Sequence, residues 1–420
     1  MKKGGFSMTY EADPLIALAR DLSAATAVER DGVITERGEV HIGAEAGTEL
    51  LVDTDGSQLI QPRAELTLRV ASQMRAADGQ LLSDHLLWTV RSAEDLPPAE
   101  EMVADARRMA EELASIAAQA PVLDEEYVGP VLFEGEAALD LLRYVLIPQL
   151  EGTPDDVPFD SFLGDLGSSS SAAVRLNRRV LPLGWSVVDD PSAHPEHPGY
   201  AAYDAEGVPV QPVELVSEGI VHDLLMSRTP RSDLRESNGH ARGGFGVRAR
   251  GRAMAVTVTP DRHLSEGKLN KRARKLARSY ERDWIFVVKR LQEPSVMAIG
   301  DYSRFPRFEP SQPTLPPPVV LVRRYSDGRE EQVRGAAFTG VQRFVLRDIV
   351  GAGGQNAGSY LVDSNGEPAG FTPTGGLPTW MSGPDLLIGE MELVPLSGDP
   401  RSLPVIPPAS LTAADLTPAP

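Results

Sequence analysis

The histidines and carboxylates of the sequence offer two places where a metal could be held. His194 and His197 flank Glu196 in one short segment. Pro195 and Pro198 prevent that segment from forming a helix. A zinc site needs about three protein ligands, and no distant third ligand accompanies these two imidazoles. An exposed turn punctuated by proline therefore explains this segment better than a metal site does.

Three carboxylates that lie close together in the sequence form the second place, namely Glu134, Glu136 and Asp140. Carboxylate oxygens suit hard cations such as Mg²⁺ and Ca²⁺. On a helix, however, side chains two positions apart point in different directions, so Glu134 and Glu136 do not converge on one ion. We therefore expect no metal at these carboxylates.

Runs of serine and of glycine are two further candidates for chemistry. The serines 168–171 lack the strand–turn–helix elbow and the paired histidine that a nucleophilic serine needs. The glycine-rich segment 351–354 is not followed by the lysine of a phosphate-binding loop. We interpret the serine run as a flexible connector, and we expect no phosphate site at the glycines.

A basic run at residues 268–282 contrasts with the acidic character of the whole chain. An acidic partner or a nucleic acid could contact such a helix, but no aromatic platform accompanies the charges. Leu269, Leu276 and Tyr280 recur at roughly core spacing. This pattern favours a helix that packs against the protein and leaves its basic side chains in solvent. Those side chains are Lys268, Lys271, Arg272, Arg274, Lys275, Arg278 and Arg282.

Composition limits the classes of function that remain. The chain has 420 residues and a formal net charge of −19, so its average electrostatic field repels phosphate and argues against a general nucleic-acid binder. It contains no cysteine, which excludes disulfides, thiolate nucleophiles and iron–sulfur clusters. The length is sufficient for about two or three hydrophobic cores of ordinary size.

No segment of the sequence is typical of a membrane span or a cleavable signal. No apolar run reaches the roughly 20 residues that cross a bilayer. Residues 1–6 carry the charges of a signal peptide, but no apolar segment follows them. We therefore predict a cytoplasmic chain without membrane contact. Its opening resembles a late start, which leaves room for an upstream segment.

Residues 1–125 are predicted to form an N-terminal domain of helices and antiparallel strands. Asp13 followed by Pro14 is typical of a helix start, with Asp13 as the cap. Three later stretches alternate apolar and polar residues, which indicates half-buried antiparallel strands. We expect His41 and His85, which lie in these strands, to be hydrogen-bonded structural residues. The alternating apolar positions are Val40 and Ile42, then Leu66, Leu68 and Val70, then Leu86, Trp88 and Val90.

An amphipathic helix from Pro98 to Ala118 is predicted to close this region, because its apolar residues form one stripe. A larger β-rich domain is predicted over residues 126–395, where short apolar stretches are separated by glycine and proline turns. The chain is therefore assigned to the α+β class, with a proline-rich tail at 396–420 that is expected to be extended. The strand candidates of the second domain are Trp185–Val188, Ala253–Thr259, Trp284–Val288, Val319–Arg323 and Leu386–Leu393.

A series of short segments resembles the TldD/PmbA family of peptidases. No single segment is specific, because Asp-Gly and Glu-Gly pairs are common turn formers, but their shared order over residues 120–395 is hard to obtain by chance. The resemblance implies the family's β-rich C-terminal domain, preceded by its central region, with the usual opening domain shortened or missing. The segments are Tyr127–Ala138, Asp189–Pro191, Tyr203–Pro209, Glu214–Val221, Ser237–Arg242, Tyr325–Gly335 and Ser382–Leu387.

The catalytic motif of the family is altered in this chain. Active members carry His-Glu-x-x-x-His on a helix, with two imidazoles for zinc and the glutamate as general base. By resemblance the corresponding residues here are Phe133, Glu134 and Ala138. A cysteine that is thought to complete the site in active members is also missing. Without a metal-polarised water Glu134 has no suitable proton to remove, so the resemblance implies a degenerate site with no catalytic residue and no metal.

TldE-like members of the family pair with catalytic members and enclose an extended peptide. The resemblance implies that this chain is a non-catalytic subunit, and that it helps bind flexible peptide for a zinc-bearing TldD-like partner. Zinc is expected only in that partner. Asn238, Gly239 and Arg242 are expected to line the cavity. Two alternatives stay open: a stand-alone peptide-binding or scaffold protein, and an active metallopeptidase with unfamiliar ligands.

Overall fold

The computed structural model describes most of the chain. The described stretches are 11–54, 56–154, 176–243, 248–293, 315–362 and 376–396. The serine run 168–171 lies outside them, and so does the proline-rich tail from residue 397 onward. Within the described part, no helix combines the length and the apolar character that crossing a bilayer requires.

Strand alternation builds an antiparallel sheet in the first part of the chain. The sheet contains β1 (Glu29–Arg30), β2 (Val33–Val52), β3 (Gln58–Arg75) and β4 (Leu81–Val90), in that order. As predicted, Leu66, Leu68 and Val70 share one face of β3, and all three are fully buried. Helices α1 (Ala12–Thr26) and α2 (Ala99–Gln119) cover that face. They contribute Leu22, Ala25, Met102, Ala106 and Met109 to the shared core.

Helix α1 begins slightly earlier than the sequence indicates. Its first residue is Ala12, and the capping position is held by Glu11, which makes no side-chain cap hydrogen bond. The prediction of Asp13 as the cap is therefore wrong. Asp13 lies in the first turn, where its negative charge interacts favourably with the helix dipole. Pro14 also fits there, because N–H groups in the first turn have no partner inside the helix.

The described part of the chain after residue 120 is β-rich and carries two further α-helices. Short 3₁₀ helices occur at Ala93–Asp95, Ile147–Gln149 and Val345–Asp348. In chain order the main elements are β5 (Tyr127–Phe133), α3 (Glu136–Val145), β6 (Ser186–Asp189), β7 (Val213–Ser217), β8 (Ile220–Val221), β9 (Ala241–Arg242), β10 (Arg250–Gly251), β11 (Ala255–Thr259), α4 (Glu266–Ser279), β12 (Trp284–Leu291), β13 (Pro318–Tyr325), β14 (Glu330–Val333), β15 (Ala336–Thr339), β16 (Ile349–Val362) and β17 (Leu377–Pro395).

These strands assemble into a mixed sheet that confirms the α+β prediction. The sheet has 11 strands, with the order β14-β13-β12-β5-β17-β11-β6-β7-β8, and β15 and β16 also pair with β17. β9 and β10 form a separate pair. The strand candidates of the second region all fall on observed strands. The glycines 351–354 lie inside β16, not in a loop that opens a helix.

Alternation along β5 gives the large sheet two buried faces. Val131 and Phe133 point into the main core, to which α3 contributes Leu141 and other residues. Leu132 points to the opposite face and packs with Leu269 of α4. A strand that is buried on both faces has a largely apolar sequence, and β5 has such a sequence.

The two regions are joined by shared contacts. Met74 of β3 and Val320 of β13 belong to one apolar cluster. Arg290 of β12 lies 2.6 Å from the Oδ2 atom of Asp84 and 2.7 Å from Oε2 of Glu112. The domain division at residue 125 stays a prediction, but these contacts fix how the small sheet is placed against the large one.

We expect replacement of Leu68 by alanine to lower the free energy of unfolding by about 2 to 5 kcal/mol, because it leaves a cavity under α1 and α2. Leu50, on the same hairpin, is 63% exposed and serves as the control. Leu50→Ala should change stability by no more than about 0.5 kcal/mol. Urea unfolding followed by circular dichroism measures both. Equal effects of the two changes would contradict the packing described here.

Candidate functional site

The face of β3 and β4 that points away from α1 and α2 is polar and yet buried. Register pairing places Arg69 opposite Leu87, and Ala71 opposite His85, on this face. Arg69 is 3% exposed and His85 is 6% exposed. Buried polar residues are the informative exception in a protein core, since each needs a partner or carries a cost. The other polar members of this face are Thr67, Gln73, Ser83 and Thr89.

Charged groups of the second region lie opposite this polar face. Arg143 of α3 donates from Nη1 to Oε2 of Glu293 at 3.0 Å and from Nη2 to the carbonyl of Leu361 at 3.0 Å. Its guanidinium also lies 5.0 Å from the ring centre of Tyr360 on β16. Asp140, one helical turn earlier, lies 3.6 Å from Arg143. A layer of paired charges therefore separates the two sheets here.

The polar face continues along β3 to an open cavity of about 90 Å³. Arg63 and Glu65 line this cavity and share the face of Arg69, since strand side chains alternate with a period of two. Arg91, just after β4, and Arg242 also line it. The distance along β3 from Arg63 to Arg69 is roughly 20 Å. We call this polar strip and its opposite wall the groove; the wall at its open end includes Tyr200, Ala201, Tyr203, Leu377 and Pro378.

Burial and charge shift the acid–base behaviour of the groove. Burial lowers the pKa of His85 to about 4, although Glu293 opposes that shift. Burial alone would raise the pKa of Glu293, but Arg143, together with His85 and Arg69, lowers it to about 2. Burial also raises the pKa of Glu136 and of Asp140, and the charge of Asp140 adds to the effect at Glu136. At neutral pH His85 is thus uncharged and Glu293 is ionised.

Arg242, which is predicted to line the peptide cavity formed with a partner, borders the small cavity described above. It donates to the carbonyls of Ala253 at 2.6 Å and Pro378 at 2.7 Å, and to Oγ1 of Thr379 at 3.0 Å. Burial lowers the pKa of Arg242 to about 10, with the charges of Asp189 and Glu65 opposing. Arg242 therefore holds β9 against β17, and only part of its side chain faces the cavity.

Asn238 and Gly239 hold the loop that precedes Arg242, and their role in a peptide cavity shared with a partner stays a prediction. The buried Asn238 side chain donates to the carbonyl of Leu224 at 2.7 Å and accepts from the Met226 N–H at 2.9 Å. Gly239 has a φ of +76°, and a Cβ atom there would lie 2.3 Å from the carbonyl oxygen of Pro209. Glycine is required at this position by backbone geometry and close approach.

The residues assigned to the degenerate motif straddle a strand end and a helix start. Phe133 is the last residue of β5, and α3 begins only at Glu136, so Phe133 and Glu134 precede the helix. The Phe133 ring is fully buried and stacks on Phe338 at 5.8 Å between centroids. Ala138 is fully buried on α3. Neither side chain lines the cavity.

Glu134 is held by an ion pair. Arg324 of β13 donates to both of its carboxylate oxygens, at 2.5 and 2.8 Å, and to Asn270 of α4 at 3.1 Å. This bidentate pair joins the end of β5 to β13 and α4. A carboxylate engaged in this way is a structural acceptor and a poor general base.

The donors present at the motif positions do not fit zinc. Phe133 and Ala138 offer no ligand atom, and Glu134 is engaged by Arg324. Across the described stretches, no three histidine or acidic side chains are grouped as metal ligands. His194 of the proline-rich turn stacks on Trp380 at 3.7 Å, and the neighbouring Glu196 is exposed.

His197 is oriented by its hydrogen bonds and cannot activate the serine beside it. The N–H of Gly199 donates to His197 Nδ1 at 3.0 Å, so Nδ1 carries no proton. The proton of the neutral ring is therefore on Nε2, which donates to Ser359 Oγ at 2.9 Å. A histidine that already donates to a serine cannot take that serine's proton. This pair is a structural contact between the 190s loop and β16.

Helix α4 agrees with the favoured interpretation of the basic run. Ala273 and Ala277 join Leu269 on its buried side, whereas Leu276 is only half-buried. Arg282 lies beyond the helix, with its guanidinium 4.5 Å from the ring centre of Tyr127. The exposed cations of the helix are Lys268, Lys271, Arg272, Arg274, Lys275 and Arg278.

Comparison with known proteins agrees with this architecture. Residues 126–304 match the family model described as the PmbA/TldA metallopeptidase C-terminal domain. This match covers the β-rich region from β5 to β12 and is similar in position to the resemblance drawn from the sequence. A search of curated proteins finds no significant match.

Three solved structures of low sequence identity share the fold of this chain. A protein described as a modulator of DNA gyrase from Thermotoga maritima has a TM-score of 0.61 at 18% identity, covering 92% of this chain and 75% of that chain. TldE from Thermococcus kodakarensis has a TM-score of 0.58 at 14% identity, with coverages of 92% and 75%. A second gyrase-modulator protein, from Bacteroides thetaiotaomicron, has a TM-score of 0.55 at 12% identity, with coverages of 94% and 76%.

Within this fold, sequence reasoning missed the groove. Arg69 lies at an inward position of β3, whose alternation the sequence predicts. A charged residue at an inward strand position is a sequence sign of a buried polar layer. His85 was expected to be a hydrogen-bonded structural residue, but its Nδ1 atom has no hydrogen-bond partner among the described residues. Arg143 and Tyr360 carried no local pattern that marked them.

We expect Glu134→Gln to lower the free energy of unfolding by about 1 to 2 kcal/mol, because it removes the charge that Arg324 binds. Asp105→Asn, in an exposed pair with Arg108 on α2, is the matched control and should have little effect. Chemical denaturation measures both. A variant of Glu134 with unchanged stability and a lost hydrolytic activity would show that this carboxylate is catalytic instead.

We expect the contribution of His85 to stability to fall as the pH decreases from 6.5 to about 4. Unfolded His85 takes up a proton near pH 6.5, whereas burial delays this to about pH 4 in the folded protein. The contribution of neutral His85 is thus fully present above pH 6.5 and is lost on acidification. Glu136 and Asp140 act in the opposite sense, because their raised pKa values favour folding at low pH and less so as the pH rises.

Denaturation at several pH values tests this expectation. His85→Asn should reduce the slope of stability against pH in this window, while His197, whose pKa burial lowers to about 3, maintains part of it. Thr89→Ala changes the same buried face without a titrating group and should leave the slope as it is. An unchanged slope in the His85 variant would refute the assignment.

Proposed function

We propose that this chain is a non-catalytic, TldE-like subunit of a TldD/E-type metallopeptidase. In this proposal it binds unfolded peptide in the groove for cleavage by a zinc-bearing TldD-like partner. The observation that carries the proposal is the groove itself, a buried polar strand face opposite a second layer of charged side chains. The engagement of Glu134 by Arg324 supports the non-catalytic part.

The solvent-open cavity of about 90 Å³ beside Arg63 and Glu65 is the place where a peptide would first meet this chain. β4 lies along the groove, and among the described strands it pairs only with β3. The backbone N–H of His85 donates a hydrogen bond to Oδ1 of the neighbouring Asp84 at 2.9 Å. The free edge of β4 could bind the backbone of a peptide by strand addition. Alternate side chains of that peptide would then point toward the polar face.

The alternative is a stand-alone peptide-binding or scaffold protein. It shares the groove with the leading proposal and differs only in lacking a catalytic partner. Co-expression with a paralogue that carries His-Glu-x-x-x-His, followed by size analysis, separates the two. Stable co-purification and peptide cleavage that requires both chains support the subunit proposal. A paralogue that cuts equally well alone and never co-purifies with this chain would refute it.

We expect Ala201→Trp to weaken binding of a labelled unfolded peptide by about tenfold or more, since the indole fills the cavity at the open end of the groove. Ala202, the next residue, is exposed and does not line the cavity. Ala202→Trp is therefore the matched control and should bind as the unmodified chain does. Fluorescence anisotropy with the purified chain measures both affinities. Unchanged binding in the Ala201 variant would move the peptide site elsewhere.

A further inference from the structure

Helix α4 carries six cations and, after its first residue Glu266, no acidic residue. The six side chains are exposed, and at about 100° per residue they fall within an arc of roughly 160° around the helix. The buried Leu269, Ala273 and Ala277 lie on the opposite side. We call this surface the basic face; it consists of Lys268, Lys271, Arg272, Arg274, Lys275 and Arg278.

Among the described residues, no carboxylate forms an ion pair with the basic face. Arg274 donates instead to the carbonyls of Asn270 at 3.3 Å and Ser326 at 2.9 Å. Cations one helical turn apart, such as Lys271 and Lys275, repel each other and destabilise a helix. Acidic residues outnumber basic ones by 60 to 41 in this chain, so six cations gathered without a carboxylate indicate a surface for an anionic partner.

The basic face is presented on a rigid support. Leu269 of α4 packs with Leu132 and Val287 on the face of the large sheet that lies opposite α3. Gly353 of β16 allows close approach of the segment before the helix, because a Cβ atom there would lie 2.5 Å from the carbonyl oxygen of Leu264. Charges that are held in place in this way bind a partner at a low cost in ordering.

Exposed acidic residues border the basic face at both ends of α4. Glu266 lies at the N-terminal end, and Glu281 and Asp283 lie just beyond the C-terminal end. A helix of 14 residues is about 21 Å long. An anion much longer than this would therefore meet like charges at either end.

Three classes of anion carry enough charge to bind here: a nucleic acid, an anionic membrane and an acidic polypeptide. The basic face contains no aromatic platform for bases, since the nearby Tyr280 is half-buried and its hydroxyl donates to Glu390 at 2.6 Å. It contains no apolar side chain that would insert into a membrane. A duplex or a membrane also extends past the helix ends, toward a chain of net charge −19. An acidic polypeptide segment can be as short as the basic face itself.

We propose that the basic face of α4 binds an acidic segment of a partner protein, about six residues long if that segment is extended. Carboxylates of the partner would replace the ion pairs that the chain itself does not supply. The contact is separate from the groove, because α4 and α3 lie on opposite faces of the large sheet. It therefore adds a binding surface to those of the proposed function.

The probe is a labelled peptide with a run of about six glutamates, and the same peptide with glutamines is its neutral match. We expect the purified chain to bind the glutamate peptide about tenfold or more tightly than the glutamine peptide at low salt. The difference should shrink in about 0.5 M salt, which screens exposed charges. Fluorescence anisotropy measures both affinities. Equal affinities at low salt would overturn the proposal.

The variant that combines Lys271→Gln, Lys275→Gln and Arg278→Gln should lose most of the preference for the glutamate peptide. Glutamine forms helices about as well as lysine and arginine do, so α4 should keep its structure, which circular dichroism checks. A preference that persists in this variant would refute binding at the basic face.

The matched control removes three exposed cations from α1 and α2 and changes the net charge by the same amount. It should bind the glutamate peptide as the unmodified chain does. An equal loss of affinity in both variants would assign binding to the overall charge and overturn the proposal. The control combines Arg20→Gln, Arg107→Gln and Arg108→Gln.

A DNA duplex of about 20 base pairs and vesicles that contain phosphatidylglycerol test the other two classes of anion. We expect both to bind the unmodified chain more weakly than the glutamate peptide does. Tighter binding of the duplex or the vesicles, lost in the α4 variant, would overturn the proposal in favour of that class.

Discussion

The alternation of side chains along β3 is the constraint on which the rest of this structure depends. Because neighbouring residues point to opposite faces, Leu68 enters the core beneath α1 and α2, and Arg69 enters the layer that faces α3. A slip of one residue in the pairing would exchange the two sets. The long ladders with β2 and β4 prevent that slip, so the same backbone hydrogen bonds specify both the core and the groove.

The four-stranded sheet is buried on two faces, and the charged side chains of its polar face need partners of opposite charge. On this face Arg143 of α3 pairs with Glu293, which lies in a distant segment of the chain. Apolar residues of similar size would often be as stable as a buried ion pair. In this polar layer the charge of Glu293 faces both Arg143 and Arg69, while Nε and Nη1 of Arg69 have no hydrogen-bond partner among the described residues.

The positions that the family resemblance singles out serve the fold in this chain. The ring of Phe133 fills the main core against Phe338, and Glu134 connects β5 to β13 through Arg324. Asn238 bridges two backbone groups of the loop before β9. These positions therefore take part in packing and hydrogen bonding within the chain.

The sequence by itself determined the strands around Leu66–Val70, the amphipathic helix near 98–118 and the α+β class, because these depend on local periodicity. Only the tertiary structure decided which polar groups meet. Arg143 and Glu293 are 150 residues apart, and an inward arginine such as Arg69 has the same local pattern whether a carboxylate faces it or not. Partnership across layers depends on how the sheets stack, and local propensity does not encode that stacking.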